Sequence, residues 1–144
     1  MKKILQVQSL KKYFPIYGGL LSRNIAQVKA VDDVTFDINE GEILGLVGES
    51  GCGKTTVGRM TLRLLEPTSG KIFFEETNLL SLKSKELAKI RPKIQIIFQD
   101  PYSSLNPRFT VERVIGEALS IHGLAQGNEL REKIEALMEK VGLS

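Results

Sequence analysis

Chemistry-bearing residues are densest in GESGCGKTT, residues 48 to 56. Gly48, Gly53, Lys54 and Thr55 meet the spacing GxxxxGK[ST], with Gly51 inside it, and that spacing serves to hold a chain of phosphates. A polyphosphate is held by turning successive backbone N–H groups inward, with a helix N-terminus behind them. Side chains would obstruct the approach, so Gly48 and Gly53 permit the close backbone path and positive φ angles. Glu49, Ser50, Gly51, Cys52 and Thr56 complete the cradle, Lys54 is placed to reach the β- and γ-phosphates of ATP, and Thr55 offers a hydroxyl to Mg²⁺.

Such a cradle needs a buried strand before it and a helix after it. ILGLV, residues 43 to 47, is continuously apolar, as suits a strand covered on both faces of a parallel sheet. In KTTVGRMTLRLL, Val57, Met60, Leu64 and Leu65 recur at helical spacing, and EPTSG predicts the stop. Upstream, ILQVQSL alternates as a half-wet strand, KKYFPIYGGLLSRNIAQ with Pro15 and Gly18-Gly19 predicts an extended loop, and VKAVDDVTFDI a second strand before a turn at NEGE. Downstream, KIFF predicts a strand and SKELAKI a short helix ended by Pro92. IQIIF predicts a second buried strand that delivers Gln99 and Asp100 at its carboxyl end, where open α/β sheets place ligands. After the turn-rich DPYSSLNPRF come two amphipathic helices, one lined by Val111, Val114, Ile115, Ala118 and Leu119, the other by Leu130, Ile134, Leu137, Met138 and Val141.

The 144 residues, 42% of them apolar, suffice for one ordinary domain. Lys and Arg number 20 against 17 Asp and Glu, and the formal charge of +3 is scattered in short pairs such as Lys2-Lys3 and Lys11-Lys12. That pattern argues for a solvated surface and against a nucleic-acid partner. Cys52 stands alone, which excludes an internal disulfide and suits a reducing compartment. No apolar run approaches the roughly 18 residues that span a bilayer, so a membrane role must act through partners.

Among phosphate-loop proteins, a GTPase would carry DxxG and NKxD strings, and neither occurs. A small-molecule kinase would need an acceptor site and a lid, for which nothing speaks. The ATP-binding cassette family is resembled at several separated points. LKKYF is similar to its adenine-stacking segment, which assigns Tyr13 to the base, with Phe14 and Tyr17 as fallbacks and a strand-end tyrosine packed on the sheet as the plainer alternative. IIFQDP resembles its Q-loop, which implies that Gln99 helps to bind Mg²⁺ and orients the attacking water. Within the family, GLVGESGCGKTT and FQDPYSSLNPRFTV look like the ATP-binding subunits of dipeptide and oligopeptide importers, the F type, with nickel and glutathione importers sharing these strings.

The resemblance implies an α/β phosphate-loop NTPase fold of this type, incomplete: an antiparallel β region over 1–42 with the adenine loop, a RecA-like parallel-sheet core over 43–109, and the start of a helical subdomain over 110–144. It implies ATP hydrolysis coupled to peptide import at the cytoplasmic face of the membrane. The partners would be membrane-spanning permease subunits, a second ATP-binding subunit, like or unlike, and indirectly an extracytoplasmic peptide-binding protein. The segment from Asp100 through the helix near Thr110 would meet the permeases. The family's SGGQ-type signature, Asp-Glu strand end and switch histidine have no counterpart after Gln99, and His122 reads as a surface residue. The expectation is therefore a chain that stops inside the helical subdomain, poorly soluble by itself because its apolar strand edges lie open. The competing reading is a module that binds nucleotide without hydrolysing it.

Overall fold

The computed structural model describes residues 2–18, 23–100 and 105–143. Gly19 of the expected loop and residues 101–104 of the expected permease-facing segment lie outside them. The chain divides into two compact units, Met1–Leu87 and Ala88–Ser144.

In the first unit, β1 (Lys3–Gly18) and β2 (Arg23–Asn39) pair antiparallel from Lys3↔Asn39 to Gly18↔Arg23. The stretch expected to be an extended loop is thus the distal half of a long hairpin. Pro15 is tolerated because β1 pairs with β3 (Ser69–Phe74) only as far as Lys11↔Ser69, and past that point a missing N–H can face an open edge. The two-residue strand β4 (Thr77–Asn78) completes a sheet of order β2-β1-β3-β4, antiparallel at every pairing.

Val7 and Leu10 of β1, Val31 of β2, and Ile72 and Phe74 of β3 form the core with Leu79, which opens the 3-10 turn Leu79–Ser81. Helix α1 (Lys54–Thr61) covers it with Val57 and Met60, three residues apart and so on one face. Burying a side chain of this size contributes about 1.5–3 kcal/mol. Val7, Leu10, Met60, Ile72 and Leu79 are sealed completely, so sheet and α1 cohere.

Helix α1 stops earlier than its apolar spacing predicts, and Leu64 is exposed. The cause lies at Arg63, whose backbone takes the left-handed conformation (φ 50°). Its guanidinium donates to the carbonyls of Leu79 (2.9 Å) and Leu82 (2.6 Å) and pairs with Glu66 at 2.8 Å. Charged hydrogen bonds of this kind exceed what another turn of helix would add.

Helix α2 (Ser84–Ile90) ends where Pro92 enters the 3-10 turn Arg91–Lys93, as its sequence predicts. In the second unit, α3 (Val111–Ile121) is capped by the Thr110 hydroxyl, which accepts from the Arg113 N–H at 3.2 Å. It packs against α4 (Gly127–Lys140) where Gly116 meets Ile134: a Cβ on Gly116 would lie 3.1 Å from Ile134 Cδ1. Val111, Ala118, Leu137 and Val141, expected on the inner faces, are exposed, as is His122 at the end of α3.

The largest departure concerns the two predicted buried strands. ILGLV and IQIIF carry no ladder partner among the described residues, and Ile43, Val47 and Ile97 are 96%, 97% and 92% exposed. A continuous apolar run becomes a strand only when neighbouring strands take up its N–H and C=O groups. The antiparallel part of the expected fold is therefore built, while these parallel-sheet segments stay unpaired among the described residues. No helix among those residues is long and apolar enough to cross a membrane.

Candidate nucleotide-binding site

Gly53 connects the glycine loop to α1 with φ 97°, and a Cβ there would stand 2.3 Å from the Ala30 carbonyl oxygen. Only glycine allows β2 and the loop to approach so closely. No side chain caps α1, and the Val57 N–H donates to the Gly53 carbonyl at 2.9 Å, closing its first turn. The N–H groups of the opening turn, at Lys54, Thr55 and Thr56, therefore remain for an anion, with the helix dipole favouring negative charge.

The Lys54 ammonium is turned into the loop. It donates to the carbonyls of Gly48 (2.8 Å) and Glu49 (2.7 Å) and approaches Cys52 Sγ at 3.5 Å. Cys52 N in turn donates to Glu49 O at 3.3 Å. The lysine thus braces residues 48–52 into a curl around its own charge.

Beside the loop lies a recess of about 340 Å³, lined by Ala30, Val31, Asp32 and Val34 of β2, by Leu46 and Val47, and by Cys52, Gly53, Lys54 and Val57. A larger depression of about 720 Å³, between Lys2, Lys3, Gln6 and Glu75 to Thr77, offers no helix start or glycine loop. The smaller recess is the one that adjoins the glycine loop and the start of α1.

Tyr13 does not line this recess itself. Its hydroxyl donates to Asp32 Oδ1, its backbone N–H to Thr68 Oγ1 at 2.9 Å, and the Lys29 ammonium sits 5.3 Å from its ring centroid. The bond to Asp32 raises the phenol above its ordinary pKa, with partial desolvation and the charges of Asp32 and Asp33 adding to it. The same bond lowers the Asp32 carboxyl, and Lys29 and Lys11 assist against desolvation.

Sequence reasoning missed Ala30, Val31, Asp32 and Val34. Their signal was the break in alternation at AVDDV, which pairing converts into irregular register. Gln99 is exposed and belongs to the second unit, whereas the glycine loop belongs to the first. Groups of three or more His, Cys, Asp or Glu able to hold a metal are absent among the described residues.

The sequence profile of the family described as "ABC transporter" matches residues 31–144. The chain belongs to the ABC transporter family. It is 48% identical over 141 residues to the oligopeptide transport ATP-binding protein AppF of Bacillus subtilis, covering 97% of this chain and 43% of that protein. It is 48% identical over 140 residues to the glutathione import ATP-binding protein GsiA of Salmonella typhimurium, covering 97% of this chain and 22% of that protein. The chain spans less than half the length of these relatives. A solved dimer of the ATP-binding cassette MJ0796, in a post-hydrolysis state with ADP and Pi, matches with a TM-score of 0.74 at 25% identity, over 97% of this chain and 58% of that one. Membership in the ABC family carries nucleotide binding with it, in agreement with the braced glycine loop.

Proposed function

We propose that these residues form the nucleotide-gripping part of an ATP-binding subunit whose parent protein couples ATP binding and hydrolysis to import of di- or oligopeptides. The observation that carries this reading is the Lys54 ammonium braced by the Gly48 and Glu49 carbonyls at the foot of an uncapped helix, in a chain 48% identical to an oligopeptide transport ATP-binding protein. In this reading the backbone of Gly48, Glu49, Ser50, Gly51, Cys52, Gly53 and Thr56 cradles the phosphates, and Lys54 exchanges loop carbonyls for phosphate oxygens. Thr55 and, as the family resemblance implies, Gln99 would hold Mg²⁺, which would supply positive charge to the phosphates. Tyr13 stacks on the adenine.

The three-part organisation, 1–42, 43–109 and 110–144, belongs to the same proposal. So do the membrane-spanning permeases, a second ATP-binding subunit, an extracytoplasmic peptide-binding protein acting indirectly, and a place at the cytoplasmic face of the membrane. This sequence contains no SGGQ-type string; in this reading these residues bind nucleotide, and turnover belongs to the whole parent assembly. Glutathione as cargo is the second reading, favoured by the 48% identity to GsiA.

Full-length protein reconstituted in vesicles with its permeases should hydrolyse ATP faster when peptide and its capturing protein are present. Stimulation by glutathione instead of peptides would select the second reading, and no stimulated turnover would remove the transport assignment. Tyr13→Ala should weaken ATP by about 5- to 150-fold, the worth of one base on an aromatic ring. Isothermal titration decides it: unchanged affinity moves the stacking role to another side chain.

A further inference from the structure

We infer that Asp32 is a positioning residue for the Tyr13 ring, fixing it for the base while leaving the phosphate grip to the glycine loop. The inference rests on the stacking assignment of Tyr13. It begins with β2, which is irregular on both sides of Val31. From Leu10↔Val34 to Lys12↔Val31 the register advances two residues on β1 and three on β2, and from Lys12↔Val31 to Tyr13↔Lys29 one on β1 and two on β2. Each extra residue is a bulge, which bends the strand and re-aims side chains. Asp33, inside the first bulge, takes φ 61°, a left-handed conformation that aspartate tolerates better than most residues.

The outcome is a carboxylate serving two elements. Asp32 Oδ1 accepts from the Tyr13 hydroxyl, Oδ2 accepts from the Lys29 ammonium at 3.3 Å, and Lys11 stands 4.0 Å from Oδ1. Lys29 also lies over the Tyr13 ring, so the hydroxyl is tied and a cation sits near one ring face. The same Asp32 lines the recess together with Gly53 and Lys54. A ring held before the ligand arrives loses less freedom on binding, worth about 2- to 12-fold in affinity for one side chain.

A carboxylate beside a polyanion site invites the opposite expectation. If Asp32 acted through its charge alone, removing it would tighten every phosphate ligand. The two accounts therefore differ in sign. They also differ over asparagine, whose side-chain oxygen still accepts from the phenol while the charge is gone.

The test titrates full-length protein with ATP and with tripolyphosphate, which has the phosphates but no base. Asp32→Ala and Tyr13→Phe should each weaken ATP by about 2- to 12-fold, the double variant no more than either single one, and Asp32→Asn should recover most of the loss. Tripolyphosphate affinity should stay unchanged in all four. Tighter binding of both ligands by Asp32→Ala and Asp32→Asn alike would overturn the inference, and so would additive losses in the double variant. Tyr13→Ala separates the levels: if it weakens ATP while Tyr13→Phe and Asp32→Ala do not, only the positioning role falls. If Tyr13→Ala itself binds ATP normally, the stacking assignment falls with it.

Discussion

Lys54→Ala should lower ATP affinity by at least about 100-fold, the worth of two charge-assisted hydrogen bonds. Two losses combine. The ammonium that would meet the β- and γ-phosphates disappears, and the Gly48 and Glu49 carbonyls lose the donor at 2.8 and 2.7 Å that folds them inward. Methionine keeps most of the stem but donates nothing, so Lys54→Met should bind as poorly as alanine. Titration calorimetry with ATP is the measurement, and wild-type affinity in Lys54→Ala would end the phosphate-loop assignment. The fold should survive either change, because Lys54 contributes nothing to the core of Val57, Met60 and the sheet.

Gly53→Ala should cost both stability and binding. Its Cβ would stand 2.3 Å from the Ala30 carbonyl oxygen, a backbone atom that cannot swing aside, and φ 97° is strained for any L side chain. The conformational strain alone costs about 1–3 kcal/mol. Relieving the clash must push the loop away from β2, which misaligns the first N–H groups of α1 and widens the recess. An ATP affinity lowered by about 100-fold or more, together with a lower denaturation midpoint in the full-length protein, is the expected pair of results. Gly51→Ala provides the comparison: φ 82° brings the same kind of strain, but its Cβ would meet nothing within 4 Å. It should lose stability with a smaller loss of ATP. Equal losses of ATP at 51 and 53 would show that strain, and not the approach to Ala30, governs the cradle.

The conformation of residues 48–56, a glycine loop running into a helix, was legible from their order alone because it is made of consecutive backbone groups. Glycine at fixed offsets, a lysine and a helix start are local properties, and α1 begins at Lys54 as the pattern requires. The short helix SKELAKI, ended by Pro92, and the helices α3 and α4 were legible for the same reason, since i to i+4 bonds close within one segment. ABC family membership was legible too, in GLVGESGCGKTT and FQDPYSSLNPRFTV, both of which lie inside the profile match over residues 31–144.

Strands answer to partners, and there the tertiary structure decided. Pro15 and the glycines at 18 and 19 read as a loop by local preference, yet residues 3–18 form one long strand because β2 supplies a matching ladder. ILGLV and IQIIF read as buried strands by composition, yet neither has a ladder partner among the described residues, and Ile43 and Ile97 lie open. The bulges around Val31 depend on the register that β1 imposes, and so does the bond between Tyr13 and Asp32, residues 19 apart in the chain. By itself the sequence determined the glycine loop and the helix that starts at Lys54; only the folded hairpin decided which β2 residues stand beside them. Hydrogen bonds between distant segments set that register, and no short run of residues contains both halves of such a bond.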